Sequence, residues 1–182
     1  RPTESNVGLF GSTSSNVRIE NVGVVNANMT GNDQVGGLAG LLFRGTVSNS
    51  YATGNVTGDT RNVGGLLGAT VDGTVADSYA TSSVHSSGDN TGGLVGYNAG
   101  GTVSSSYATG GVTGNGRTGG LVGNHKGGTA ADSYATGSVT GDSDAAGGPV
   151  GTDSGGTGSG ADGTGVVGCR GGCTVEGARA RV

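Results

Sequence analysis

The sequence repeats itself at a fixed step, and that step bounds what the chain can fold into. Gly36-Gly37-Leu38 returns as Gly64-Gly65-Leu66, Gly92-Gly93-Leu94 and Gly119-Gly120-Leu121, at offsets of 28, 28 and 27 residues. Ser50-Tyr51-Ala52-Thr53 returns at the same offsets as Ser78-Tyr79-Ala80-Thr81, Ser106-Tyr107-Ala108-Thr109 and Ser133-Tyr134-Ala135-Thr136. Two independent motifs that share a period define a structural unit, and a unit this short buries its apolar side only by stacking on its neighbours. Within each unit, stretches such as Gly45-Thr46-Val47 and Asn55-Val56-Thr57 alternate with Gly, Asn and Asp turn residues, and no 3.6-residue period appears. The expected fold is all-β: a parallel β-helix, or β-solenoid, of about five coils of 27–28 residues. The general preference for right-handed crossovers predicts a right-handed one, and a strand spacing of about 4.8 Å predicts a rod roughly 24 Å long.

Composition agrees with a thin core. Of 182 residues 44 are Gly, 31% are hydrophobic and 4% aromatic, against roughly 45–50% apolar in ordinary domains. Disordered chains pair low hydrophobicity with high net charge, whereas here 12% of residues are charged and the net charge is -4. Order is therefore expected from backbone pairing and repetition. The nine Lys and Arg are scattered, without the basic stripe that phosphate neutralisation needs, so no nucleic-acid partner is expected. No apolar run approaches the roughly 20 residues of a membrane span. Arg1-Pro2-Thr3 carries neither an initiator Met nor an apolar leader, and the chain reads as a mature product or a fragment.

Three segments follow from the repeat. Residues 1–33 form a divergent first coil and N-terminal edge, opened by Val7-Gly8-Leu9-Phe10-Gly11, with Met29-Thr30-Gly31 matching Val56-Thr57-Gly58. Residues 34–145 make four regular coils. Residues 146–182 are a degenerate coil, with Pro149 at the Leu position, and a Gly-rich tail; a flexible linker, a degenerate cap and a shifted reading frame are the three readings of that tail. Equivalent residues should stand in columns. Leu38, Leu66, Leu94 and Leu121 make one apolar column; Val56, Val84, Val112 and Val139 a second; Val47, Val75, Val103 and Ala130 a third. Strand alternation leaves either Tyr51 and Thr53 or Ser50 and Ala52 facing in. Laying Ile19-Glu20-Asn21-Val22-Gly23-Val24 on Val47-Ser48-Asn49-Ser50-Tyr51-Ala52 puts apolar residues at the Ser and Ala positions and Gly23 at Tyr51. Ser and Ala are thus expected inside, and Tyr51, Tyr79, Tyr107 and Tyr134 outside as a ladder beside Thr53, Thr81, Thr109 and Thr136.

The recurring Gly-Leu-x-Gly turn followed by Gly-Thr-Val-x-x-Ser-Tyr-Ala-Thr-Gly resembles the GLUG motif of bacterial and archaeal cell-surface proteins. The resemblance covers roughly residues 6–148. It rests on Gly8-Leu9-Phe10-Gly11, Gly37-Leu38-Ala39-Gly40, Gly65-Leu66-Leu67-Gly68, Gly93-Leu94-Val95-Gly96 and Gly120-Leu121-Val122-Gly123 in register with the downstream motif. It implies a secreted, surface-attached repeat region of adhesin-like proteins, without catalysis of its own and without a defined ligand.

The remaining candidates for chemistry are sparse. Cys169 and Cys173 could be half of a zinc site or a short disulfide loop, but four N or S ligands are not assembled around them, and an incidental pair is the simpler reading. Gly155-Gly156-Thr157-Gly158-Ser159-Gly160 resembles a calcium-binding nonapeptide, yet Gly160 stands where the Asp ligand belongs and Asp162 comes two residues late. Asp59, Asp89, Asn115 and Asp142 recur after Val-Thr-Gly or its equivalent, where Asx side chains bond local backbone. Asn28-Met29-Thr30 and Asn55-Val56-Thr57 are possible glycosylation sequons at matching positions of adjacent coils, in keeping with an extracellular location. His85 and His125 read as isolated, no carboxylate pair recurs on one face, and neither an enzyme nor a cofactor or metal is expected.

The sequence therefore favours a non-catalytic extracellular surface module, an adhesin or stalk, whose Tyr and Thr columns make multivalent weak contacts with glycans or with host or neighbouring cell surfaces. Stacked Tyr can offer ring faces to sugars or simply tie coils together. Uncovered coil ends would expose strand edges, which implies a larger surface protein around this segment. Two alternatives belong to other classes. An ice-binding solenoid could use Thr46, Thr74, Thr102 and Thr129 with the Thr53 column, although Thr57, His85, Thr113 and Thr140 make a broken one. A polysaccharide-processing β-helix would need a carboxylate or basic cluster on one face, and the linear sequence displays none.

Overall fold

A computed structural model describes residues 3–141, 146–155, 157–159, 162–163 and 174–176. Within them there is no helix, and every recorded strand pairing is parallel. The chain winds into a β-solenoid of about five coils, as the repeat predicts. One face is the ladder Phe10–Ser12, Ala39–Phe43, Leu67–Val71, Val95–Ala99, Val122–Lys126 and Val150–Asp153. A second stacks Arg18–Glu20, Thr46–Ser48, Thr74–Ala76, Thr102–Ser104, Thr129–Ala131, Thr157–Ser159 and Thr174–Glu176. The third is the longest. It runs along Gly23–Gly36 and Tyr51–Gly64 and then through shorter strands in the later coils.

Register follows the sequence motifs. Tyr51, Tyr79, Tyr107 and Tyr134 pair in succession, Val56 pairs Val84 and Val84 pairs Val112, and Ile19 and Gly23 pair Val47 and Tyr51. The same register continues past the point where the motif decays, with Val122 paired to Val150, Thr129 to Thr157 and Tyr134 to Asp162. Pro149 does stand in the Leu column: Leu121 N–H donates to its carbonyl at 2.9 Å.

Corners are set by residues in the left-handed region. Asn49, Asp77, Ser105 and Asp132 take φ of 48°, 48°, 47° and 49° just before each Ser-Tyr-Ala, and Gln34, Asn62 and Asn90 take 55°, 59° and 61° at another corner. Asn and Asp enter this region at little cost because their short polar chains bond nearby backbone, so the turn residues of the repeat are the coil corners.

The Leu column and the Val47, Val75 and Val103 column share the larger core cluster, with Leu38, Leu66, Leu94 and Leu121 fully buried. The Val56 column does not join it. It makes a second, smaller cluster with Val35 and Val63, residues that the repeat analysis left out. Val139 departs from the expected core column: it is only half-buried, because its strand Val139–Gly141 is the last rung of that path and nothing described lies over it. Leu9, at the opposite end of the Leu column, is 55% exposed for the same reason.

The two motifs are coupled through this thin core. A Cβ placed on Gly65 would fall 2.9 Å from the Ala80 Cβ, and one on Gly93 would fall 2.9 Å from the Ala108 Cβ; both would also strike the Gly carbonyl of the next coil. The second Gly of Gly-Gly-Leu and the Ala of Ser-Tyr-Ala-Thr therefore touch across the core, and neither position has room for a larger residue.

Candidate functional site

The Ser-Tyr-Ala-Thr column carries the candidate binding residues, and its orientation is the one expected. Ser50, Ser78, Ser106 and Ser133 are buried, as are Ala52, Ala80, Ala108 and Ala135. Each buried Ser has two partners. The Ser78 hydroxyl donates to the Ala76 carbonyl at 2.7 Å and accepts the Ser50 N–H at 3.1 Å; Ser106 does the same with the Ser104 carbonyl at 2.7 Å and the Ser78 N–H at 3.2 Å. Serine is required there because the corner leaves a buried N–H with no ladder partner.

Outside, the Tyr rings stack. Centroids of Tyr51 and Tyr79, Tyr79 and Tyr107, and Tyr107 and Tyr134 are 4.9, 4.8 and 5.0 Å apart, with interplanar angles of 2°, 2° and 5°. Of the two roles open to stacked Tyr, this geometry suits the tying of neighbouring coils: each ring covers its neighbour. The Tyr51 ring lies over Gly23, where a Cβ would collide with it, so the ladder is closed at that end. Tyr134, 41% exposed, is the open end. What the ladder offers along its length is a line of ring edges and hydroxyls. Partial burial, and then the charges that Tyr79 and Tyr134 would carry, hold the Tyr107 hydroxyl above the ordinary 10.0, so it stays a neutral donor and acceptor at physiological pH. Thr53 is half-buried, and Thr81, Thr109 and Thr136 are exposed beside the rings. The Thr53 hydroxyl accepts the Asn26 N–H at 2.9 Å and is already committed.

Asn28 and Asn55 are both exposed and pair directly with each other in register. Thr46, Thr74, Thr102 and Thr129 pair in register on the second face, and Thr57, His85, Thr113 and Thr140 share one column on the third. Asp89 does not belong with Asp59 and Asn115: it pairs with Arg61, and its carboxylate lies 3.6 Å from Arg117. Asn115 bonds the backbone of the adjacent coil, donating to the Ser87 carbonyl at 3.0 Å, rather than its own turn. Cys169, Cys173 and Asp142 lie outside the described residues.

Two groupings escaped sequence reasoning. The first is a buried column inside the first face: Leu42, Thr70, Asn98, His125 and Asp153, paired in succession and each no more than 4% exposed. His125 is thus not isolated. Asn98 Nδ2 donates to the Gly101 carbonyl at 3.1 Å and lies 2.9 Å from His125 Nδ1, with donor and acceptor there set by the imidazole tautomer. Burial pushes the His125 pKa down, opposed by the Asp153 charge and the Gly128 carbonyl.

The second is a cleft of about 440 Å³ lined by Arg61, Asn62, Asn90, Tyr97, Arg117, Asn124, Lys126 and Ser154. Three basic side chains from separate coils meet there, so the basic cluster that the linear sequence hides does exist in three dimensions. The sequence held one clue, the shortening of the Gly-Gly-Leu offset from 28 to 27, discussed below.

No helix among the described residues is long and apolar enough to cross a membrane. No curated protein and no solved structure matches the chain. A family model, described as the GLUG motif, matches residues 31–57. That stretch runs from Gly31 through the Gly37-Leu38-Ala39-Gly40 turn to the Val56-Thr57 strand, and its residues recur in register in the coils that follow. Residues 31–57 match the GLUG motif, and the chain is a β-solenoid in which the sequence pattern of that stretch recurs in later coils.

Proposed function

We propose that this solenoid is a non-catalytic extracellular binding module, an adhesin or stalk segment, that engages glycans through many weak contacts along its outer ladder. The observation that supports this reading is the register of the outer column. Tyr hydroxyls and ring edges repeat at 4.8–5.0 Å over four coils, next to exposed Thr81, Thr109 and Thr136. Contacts made once per coil add by effective concentration, so individually weak contacts sum to a firm one on a polymer that spans several coils. The two adjacent exposed sequons, Asn28 and Asn55, fit an extracellular setting.

The test is to incubate the protein with a panel of surface-bound polysaccharides and matrix proteins, measuring retained protein and released sugar ends in the same wells. Retention without release, weakened in Tyr107→Ala, is the expected outcome. Released sugar ends would overturn the non-catalytic reading. Absence of retention across the panel would reduce the module to a spacer.

A further inference from the structure

The repeat offset of 27 marks a place where one coil is a residue short, and the coordinates locate the missing position. Thr113 pairs with His85 at 28 residues, whereas the Gly116 N–H donates to the Gly88 carbonyl, the ladder bond of a Gly116 that faces Asp89, and Thr91 pairs with Thr118, both at 27. The shortening therefore falls in the bend just before Gly116, which packs against Asp89. This bend borders the cleft described above, which Arg117 lines.

What lines the cleft is chemically specific. Asn90 Nδ2 donates to Asn62 Oδ1 at 2.8 Å, while Asn90 Oδ1 accepts from Asn124 Nδ2 at 3.1 Å and Arg117 Nη1 at 3.4 Å. This chain of bonds holds the floor rigid, with Asn62 and Asn90 only 8% and 9% exposed. Around it stand Arg61, Arg117 and Lys126, and among the described residues no acidic side chain lines the cleft, although the whole chain carries a net charge of -4. Arg61 reaches Asp33 through Nε at 3.1 Å and makes no second ion pair among the described residues. Arg117 reaches Asp89 through Nη1 at 3.6 Å. Lys126 makes no ion pair among the described residues. Tyr97 supplies a half-buried ring with a polar tip.

We infer that this cleft binds a carboxylate-bearing sugar within an acidic polysaccharide, a uronate chain, at a site separate from the Tyr ladder. Planar guanidinium groups recognise carboxylates in pairs of parallel bonds, and Lys126 adds a point charge. The Asn amides and the Tyr97 ring suit hydroxyls and the apolar edge of a sugar. With Asp33 and Asp89 beside two of the three cations, the site matches single carboxylates rather than the dense phosphates of a nucleic acid, which call for a longer basic stripe. The lining residues come from four successive coils, about 14 Å along the axis at the strand spacing, so an extended oligosaccharide fits better than a single sugar. The cleft volume lies at the small end of the roughly 300–1,000 Å³ range of ligand sites.

Isothermal titration of the full chain with tetragalacturonate, and with its carboxyl-reduced neutral counterpart, tests this directly. The acidic tetramer should bind with an affinity that falls as salt rises, and the neutral one should not bind. Arg117→Gln and Lys126→Gln should each weaken binding about tenfold, whereas Arg44→Gln, which removes an exposed cation paired with Asp72 away from the cleft, should leave it unchanged. Lys126 is exposed and contributes nothing to the core, so its variant keeps the fold. Equal binding of acidic and neutral tetramers, or undiminished affinity in the Arg117→Gln, Lys126→Gln double variant, overturns the inference. So does displacement by inorganic sulfate at the same concentration as the tetramer.

Discussion

Leu94→Ala puts the largest demand on the stacked-column account of stability. Leu94 is fully buried, with Leu66 and Leu121 of the flanking coils equally buried on either side. Leu66 N–H donates to the Leu94 carbonyl at 2.9 Å, and Leu94 N–H to the Leu121 carbonyl at 2.9 Å. These bonds fix the spacing of the coils, so the cavity left by truncation cannot collapse along the axis, and the loss belongs in the upper part of the Leu→Ala range, about 3–5 kcal/mol. Leu9 occupies the same motif position in the first coil but is 55% exposed. Truncating it leaves no enclosed cavity and gives up transfer energy from less than half its surface, about 1 kcal/mol. In urea unfolding followed by far-UV circular dichroism, a loss near 4 kcal/mol corresponds to a midpoint shift on the order of 2 M for Leu94→Ala and a small fraction of that for Leu9→Ala. Similar shifts for the two variants would refute the argument, because the motif itself, and not burial between coils, would then be setting the energy.

Other expectations follow from the same geometry. Gly93→Ala should destabilise by about 2–3 kcal/mol, since the new Cβ meets both Ala108 and the Gly120 carbonyl; adding Ala108→Gly should recover only part, because the carbonyl stays where it is. A full recovery in thermal melts would contradict this. His125 holds its proton less firmly folded than unfolded, so stability should fall as pH drops below the unfolded value of about 6.5, towards the lower folded value set by burial. His125→Asn, which copies Asn98 of the preceding coil, should flatten the melting-temperature difference between pH 7.5 and 5.5, and an unchanged slope would show that other groups carry it. Where the chain is made in a glycosylating host, the exposed and directly adjacent Asn28 and Asn55 should not both be fully occupied, which intact mass spectrometry of wild type, Asn28→Gln and Asn55→Gln will read out.

The coils, their register and the direction of each side chain in the Ser-Tyr-Ala-Thr column could be read from the sequence because one residue type recurs at each position. Where chemistry changes from coil to coil, periodicity carries no signal. Leu42, Thr70, Asn98, His125 and Asp153 share a column yet have nothing in common but position, so His125 looked solitary. The cleft fails the same way: Arg61 and Arg117 come from the third face, Tyr97, Asn124 and Lys126 from the first, and coil stacking brings them together. Asp89 was placed with Asp59 because both follow a Gly, and only the pairing with Arg61 shows that the columns differ. The ring faces of the Tyr ladder were lost as binding surface for a more elementary reason. Strand spacing and ring stacking distance are nearly equal, so a Tyr on every coil satisfies itself.

The Leu42 column also says where along its axis the solenoid is weakest. From Leu42 towards the C-terminal end the buried residue becomes Thr70, Asn98, His125 and Asp153, so a polar side chain stands in place of leucine in each later coil. Thr70 Oγ1, Asn98 Oδ1 and His125 Nε2 are buried without a hydrogen-bond partner, and each such atom costs about 1–3 kcal/mol of desolvation. The Leu column weakens in parallel, ending in Pro149, and Val139 is only half covered. Because a solenoid's stability is close to a sum of nearest-neighbour terms, these losses fall on the coils that carry them. The short coil lies in that same region, where Thr91 and Thr118 replace the valines of the smaller cluster. A notch able to admit a ligand is thus found where the core has already given up apolar packing. The coils before it, with Leu42, Val35 and Val63 in place, form the stiff part on which the cleft is built.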